Sequence, residues 1–237
     1  MQTFKILLLI ARPAAGKSEV IHYLKQIPEE ERKTRFHIGK FEEIDDFPML
    51  WAWFEEDALL ERMGHPRLHT TSEGDFKYSY LWDLLIERIN LEYHKQLRDK
   101  KGDTIIIEFS RGTEHEGYRS AFMHLSDEIL KDLAILYIDV SWEESLRKNR
   151  RRFNPDRPDS ILEHGLPDEK LERLYKYTDW RELTHDDPEF IKIRDFKVPY
   201  AVLENADDIT TKGGPRLGSR LEVTLNSLCS QYHRRKG

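Results

Sequence analysis

Short, nearly unbroken apolar runs recur along the chain and are separated by longer stretches in which apolar and charged residues share a helical period. The strand-like runs fall at residues 4–10, 35–38, 104–109, 134–140 and 200–203. Two of them, Ile105-Ile106-Ile107 and Ile135-Leu136-Tyr137-Ile138, lack polar alternation, as strands buried on both faces do. Between the runs, residues 18–26 predict a first helix that Pro28-Glu29-Glu30-Glu31 closes. Residues 80–100 predict a long amphipathic one, with Leu81, Leu84, Leu85, Ile89 and Leu97 on one side and Lys100-Lys101-Gly102 at its end. Ser141-Trp142-Glu143-Glu144 is a capping box that starts a helix directly after the fourth run. This alternation predicts an α/β fold, a parallel sheet covered by helices, with the C-terminal strand ends lining one crevice.

Two stretches are longer than strand connections require. Residues 41–78 carry Trp51, Trp53, Phe54, Arg62, His65 and Arg67, and residues 150–180 carry a basic start followed by Pro155, Pro158, Gly165 and Pro167. Long excursions at the binding end of a sheet commonly serve as substrate platforms or lids. We read the 237 residues as one domain, with an acceptor-binding insertion at about 41–78 and a lid at about 147–180.

The first run is followed by Ala11-Arg12-Pro13-Ala14-Ala15-Gly16-Lys17-Ser18. Strand, loop and helix in this order form the context of the phosphate loop G-x-x-x-x-G-K-[ST], and three of its four fixed positions match. Gly16 lets the backbone approach a phosphate, Lys17 sets a cation against it, and Ser18 offers a hydroxyl to magnesium. Loop amides of Arg12, Pro13 to Ser18 and Glu19 surround that anion site at a helix start, proline contributing no N–H. Ala11 stands where the motif has glycine.

Composition narrows the class. Charged residues make up 35% of the chain and the formal net charge is −6, which argues against bulk nucleic-acid binding. No apolar run is long enough to span a membrane, and a phosphate loop follows the first run where an export signal would have a cleavage site. The single cysteine, Cys229, excludes an intramolecular disulfide and fits a reducing cytoplasm. Homo-oligomerisation is left open by the sequence.

Phosphoryl transfer needs a magnesium partner, charge on the moving group and an acceptor site. Glu108 ends the third run and can hold magnesium, directly or through water. Arg111 follows at the same rim, where it can grip a phosphate or acceptor, or pair with Glu108 or Glu114. Arg147 and Arg151, four apart on one helical face with Arg150 beside them, can neutralise transferring oxygens or simply form a solvated face paired with Glu143 and Glu144. Asp45, in the acidic run 42–46, is the nominal carboxylate for activating an acceptor hydroxyl. Trp51, Trp53 and Phe54 can stack on a flat acceptor or pack a small cluster. The ten histidines are scattered along the chain, the single cysteine has no second cysteine to join it in a metal site, and no G-x-S-x-G is present.

With these motifs in place, the chain resembles the P-loop nucleoside and nucleotide kinases, the group of adenylate and deoxynucleoside kinases. The resemblance implies a three-layer parallel-sheet P-loop NTPase fold with helical substrate-binding and lid insertions. It also implies ATP and Mg2+ as nucleotide and cofactor, and transfer of the γ-phosphoryl group to a small-molecule acceptor such as a nucleoside or nucleotide. Glu108 and Arg111 are similar, with altered spacing, to the group's acid and arginine after a strand. Arg147 to Arg151 correspond to its lid arginines. Residues 198–207 are similar to its adenine loop, which implies Asn205 and Ala206 as base contacts. An NTP-hydrolysing switch, which lacks an N-K-x-D motif here, and a non-catalytic nucleotide sensor are the alternatives.

Overall fold

The computed structural model describes residues 3–99, 102–152, 156 and 165–235. In chain order the elements are β1 (Ile6–Ala11), α1 (Lys17–Gln26), α2 (Glu29–Phe36), β2 (Phe41–Asp45), α3 (Asp46–Arg62), α4 (Tyr80–Asp99) and β3 (Thr104–Phe109). A 3-10 turn at Thr113–His115 leads to α5 (Gly117–His124), α6 (Asp127–Asp132), β4 (Leu133–Asp139), α7 (Trp142–Arg152), α8 (Asp168–Tyr175) and α9 (Trp180–Leu183). β5 (Phe190–Ile193), β6 (Phe196–Glu204), α10 (Ile209–Lys212) and α11 (Gly214–Arg234) complete the described chain.

The sheet has the order β2-β3-β1-β4-β6-β5, parallel throughout except for the β5–β6 hairpin. Alternate residues of β1 explain the layering. Ile6, Leu8 and Ile10 join one core with Ile86 and Ile89 of α4 and Tyr118 and Phe122 of α5. Leu7, Leu9 and Ala11 join the opposite core with Val20, Ile21 and Leu24 of α1 and Leu217, Leu221, Leu225 and Leu228 of α11. A strand with helices on both faces has no solvent side, which is why β1 and β3 are buried at every position and read as unbroken apolar runs. β1 connects toward β2 on one side while β4 connects toward β6 on the other, so a crevice opens beyond the C-terminal strand ends between them.

Several expectations are corrected. The strand expected at 35–38 is the end of α2, and the second strand is β2, inside the stretch read as an insertion. The acidic Glu29-Glu30-Glu31 opens α2 after Pro28, and Lys33 and Arg35 close it. That order complements the helix dipole and adds i,i+4 pairs at 2.5 Å (Lys33–Glu29) and 2.6 Å (Arg35–Glu31), so the charged run builds a helix where it was expected to stop one. β2 is polar because it is a sheet edge, and the insertion proper begins at α3. On α4 the buried stripe is Leu81, Leu85, Ile86, Ile89 and Tyr93, whereas Leu84 and Leu97 are exposed. Lys100, Lys101, Pro155 and Pro158 lie outside the described residues. β5 was missed; its F-I-K-I alternation closes through Arg194, which adopts a left-handed φ of 51°, onto β6.

One buried carboxylate holds the insertion in shape. Asp57 of α3 is fully buried and accepts hydrogen bonds from the backbone N–H groups of Leu68 (2.7 Å), His69 (2.9 Å) and Thr70 (2.5 Å) and from the Thr70 hydroxyl (2.7 Å). Burial alone would raise its pKa, but these donors together bring it down to about 2. Asp57→Asn is expected to cost about 1–3 kcal/mol in urea unfolding near neutral pH, because four donors then face a weaker, half-donor side chain. A carboxylate with a depressed folded pKa stabilises above its unfolded value of about 4, and that stability is lost as pH falls toward the folded value. The wild-type advantage over the variant should therefore shrink in melts run below about pH 4.

Candidate functional site

The loop after β1 turns at the C-terminal edge of the sheet and is fastened from several directions. Arg12 donates to the carbonyls of Val140 (3.0 Å) and Lys176 (3.2 Å). The Ser145 hydroxyl donates to Pro13 O at 2.8 Å, Asn205 Nδ2 to Ala15 O at 2.9 Å, and the Tyr118 hydroxyl to Ala11 O at 3.0 Å. Ala14 and Gly16 both have positive φ, 57° and 114°. Gly16 also has no room for a Cβ, which would lie 2.4 Å from Thr210 Oγ1. The loop thus passes directly into α1, with Lys17 at its first turn and Ser18 exposed beside it.

Facing Lys17 are two acids that the strand register makes neighbours. β2 pairs with β3 so that Asp45 stands opposite Glu108. The register sets the two carboxyls side by side, and Glu108 Oε2 is buried without a hydrogen-bond partner. Burial first, then the charges of Glu108 and Asp46, push Asp45 up to about 8. Burial likewise raises Glu108, against the pull of the nearby Lys17 ammonium. Two carboxyls in contact share one proton more readily than they carry two charges. Lys17 Nζ donates to Ser110 Oγ at 2.8 Å.

Arg111 is held by an acid that sequence reasoning did not select. It is buried, donates to Asp46 Oδ2 at 2.6 Å, to Ser110 O at 2.7 Å and to Trp82 O at 3.3 Å, and its guanidinium lies 5.1 Å from the Trp82 ring centre. The pairing partner is therefore Asp46, not Glu108 or Glu114. Arg111 borders the cavity but is committed to its wall.

Lys17 and Ser18 line a small cavity of about 110 Å³ together with Asp45, Glu108, Ser110, Asn149 and Arg152. It adjoins two larger spaces. On one side, Ser18 and Arg152 also border a cavity of about 430 Å³ between α1 and the start of α11, where Glu19, Thr210, Thr211, Gly213 and Gly214 are found. On the other, Phe47, Leu50, Trp82, Leu166 and Tyr175 are shared with an aromatic chamber of about 500 Å³ beneath α3 and α8. Trp51 and Phe54 line that chamber, whereas Trp53 is packed into a cluster with Leu81 and Leu85.

Three expected contacts are relocated. Arg147 is half exposed and pairs with Glu144 (2.6 Å) and Asp208 (3.0 Å), and Arg151 is exposed; Arg152 and Asn149 of the same helix reach the cavity instead. Asn205 is fully buried, bonded to Ala15 O and to Thr210, so it fixes the loop and cannot present a base contact. Ala206 is exposed and the space on that side is bordered by Thr210, Thr211, Gly213 and Gly214. Asp46, Ser110, Asn149 and Arg152 were missed; helical phase along α7 could have picked out Arg152, but nothing local marked the others.

No protein-family model matches the chain, and no curated protein is recognisably similar to it. Among solved structures, the chain is similar to that described as the crystal structure of TT1252 from Thermus thermophilus, at 15% identity over 98% of each chain and a TM-score of 0.41. Among the described residues no group of three or more His, Cys, Asp or Glu is arranged to hold a metal ion, and no helix is long and apolar enough to cross a membrane.

The raised Asp45 carboxyl carries a stability cost with a definite sign. A carboxyl whose folded pKa lies above its unfolded value of about 4 destabilises increasingly as pH rises between the two. Asp45 also accepts from Phe47 N–H at 2.9 Å as the N-cap of α3, a job asparagine performs equally well. Asp45→Asn should therefore melt with wild type at or below about pH 4 and above it at about pH 8–9, by more than about 1 kcal/mol. Thermal melts across this range check it, and a variant no more stable at the alkaline end refutes the shared-proton arrangement.

Proposed function

We propose that the chain is an ATP-dependent phosphotransferase acting on a small-molecule hydroxyl. The observation that carries this reading is the order of the three cavities: a narrow one around Lys17, Ser18 and Glu108 stands between two roomy ones and shares wall residues with each. Phosphoryl transfer requires a donor and an acceptor to meet in line at the moving group, and a narrow polar passage between two chambers suits that geometry.

In this reading the Ala11–Ser18 turn is a phosphate loop whose amides and Lys17 hold the β- and γ-phosphates. The base and ribose lie on the Thr210–Gly214 side and the acceptor in the aromatic chamber. Glu108 Oε2, buried and unpartnered, and the exposed Ser18 hydroxyl, bordering the same cavity, fit a magnesium ion that keeps most of its waters and phosphate ligands. When bound, that ion would neutralise phosphate charge. Asp45, in its ionised form, takes the acceptor proton. Arg152 of α7 supplies a cationic group at the wall beside the transferring oxygens, and Asn149, bonded to Leu166, helps to hold that wall.

Incubation of the full chain with Mg-ATP and pooled hydroxyl compounds should yield a phosphorylated product; phosphate release alone would mark a hydrolase, and nucleotide binding without turnover a sensor. Lys17→Ala is expected to lower kcat/KM by at least about 10²-fold with an unchanged melting transition, since it removes one preorganised cation from the phosphates. Arg152→Ala should reduce kcat by a comparable factor. Arg147→Ala should stay within about twofold, because exposed ion pairs contribute little. Equal effects at the two arginines would reject the placement of α7.

A further inference from the structure

The aromatic chamber carries charges of both signs on its wall, and their pairing restricts what can enter. Phe47, Trp51, Phe54, Phe76, Trp82 and Tyr175 supply ring surfaces around a space of about 500 Å³. The lysine and arginine on the wall are Lys170 and Arg173. Lys170 lies 3.1 Å from Asp75 and also donates to Gly74 O. Arg173 bridges Asp75 at 2.7 Å and Glu114 at 2.8 Å.

The remaining basic groups nearby add no free positive charge, although His115 Nε2 is buried without a hydrogen-bond partner. His115 stacks on Trp82 with ring centres 3.8 Å apart, and its Nδ1 accepts from Gly112 N–H at 3.3 Å. Burial, reinforced by the charges of Arg111 and Arg173, lowers its pKa to about 3, so the ring is neutral near physiological pH. Arg111, at the passage toward Lys17, is neutralised by Asp46 at 2.6 Å. Glu73 adds a further acid to the rim.

Among the described residues, then, the chamber presents no uncommitted cation to a second phosphate. A phosphomonoester entering it would lose hydration without replacement. An uncharged flat ring would exchange water for aromatic contact. We propose that the chamber takes an uncharged aromatic alcohol as the phosphoryl acceptor and rejects phosphomonoesters, an assignment that rests on the kinase reading above. In the reaction the hydroxyl oxygen bonds to the γ-phosphorus of ATP, the bond from that phosphorus to the β–γ bridging oxygen breaks, ADP leaves with the electron pair, and the hydroxyl proton passes to the ionised Asp45 carboxylate, which forms when Asp45 has released its own proton to solvent.

Quenching of tryptophan fluorescence in the full chain, without nucleotide, tests the selectivity directly. Thymidine and 2-naphthylmethanol should bind saturably, and thymidine at least about tenfold more tightly than thymidine 5′-monophosphate. The double variant Asp75→Asn/Glu114→Gln releases Lys170 and Arg173; it should improve monophosphate affinity by about tenfold and change thymidine affinity by less than about twofold. Monophosphate binding as tight as or tighter than thymidine in the wild type, or no saturable binding of either neutral probe, overturns the chamber assignment. A parallel incubation of the neutral probes with Mg-ATP separates the two claims: selective binding with no phosphorylated product sinks the kinase reading, whereas monophosphate preference sinks the acceptor class alone.

Discussion

Two carboxyl groups brought into contact by strand register, with one ammonium group opposite them, set the electrostatics on which the rest of the crevice depends. The β2–β3 ladder fixes the backbones of Asp45 and Glu108 side by side, and Lys17 opens the first turn of α1. Buried charges of like sign are tolerated only when a proton, a cation or a donor compensates them. Here burial raises both carboxyls toward their neutral forms while Lys17 draws Glu108 the other way, and one Glu108 oxygen stays without a partner. A site in this condition is primed for a cation or a proton donor, which is the electrostatic signature expected where charge must be handled during a reaction.

Fixing such a site requires a loop that does not relax. The turn after β1 receives hydrogen bonds from Tyr118 on α5, Ser145 on α7 and Asn205 beyond β6, while its own Arg12 grips the ends of β4 and α8. Elements from both faces of the sheet therefore converge on six residues of backbone. Ala14 in the left-handed region adds local strain, of order 1 kcal/mol, which this surrounding network holds in place. Preorganised amides cost no reorganisation when an anion arrives, and rigidity here is worth more than at an ordinary surface turn.

Sequence reading reached the parallel sheet, the first loop and the acid at the end of β3 because each is encoded locally. Unbroken apolar runs report burial on both faces, and glycine-lysine-serine after such a run reports a tight turn into a helix. It failed where the deciding partner was remote. Charge order along 29–35 meant a helix, and β2 was disguised as an acidic loop because an edge strand needs few apolar residues. Arg111 could be placed at the rim from spacing, but its choice of Asp46 over Glu108 depends on how α3 leaves β2. The carboxyl contact between Asp45 and Glu108 is likewise a consequence of register, which pairs residues 63 positions apart and leaves no trace in either segment. Asn205 resembled a base contact by position in the chain, yet burial and three hydrogen bonds made it a fastening for the loop.

The arginine-rich end of α7 illustrates how helical phase sorts identical side chains into different work. Ser145, Lys148 and Asn149 are buried and lie on the side that also carries Arg152, since steps of three and four residues return to one face. Ser145 and Lys148 tie that face to Pro13 O and to Thr210 and Asp208, and Asn149 is bonded through both ends of its amide to Leu166. Arg147 and Arg150 fall on the opposite side and pair with Glu144 and Asp168. The first set docks the helix against the loop and against the chain leading into α8; the second keeps the outer face solvated and fixed. Arg152, on the docked face, borders the narrow cavity together with Lys17 and Arg111. A density of arginines near a helix end is thus not by itself a measure of charge at the cavity, because helical phase commits Arg147 and Arg150 to ion pairs on the outer face.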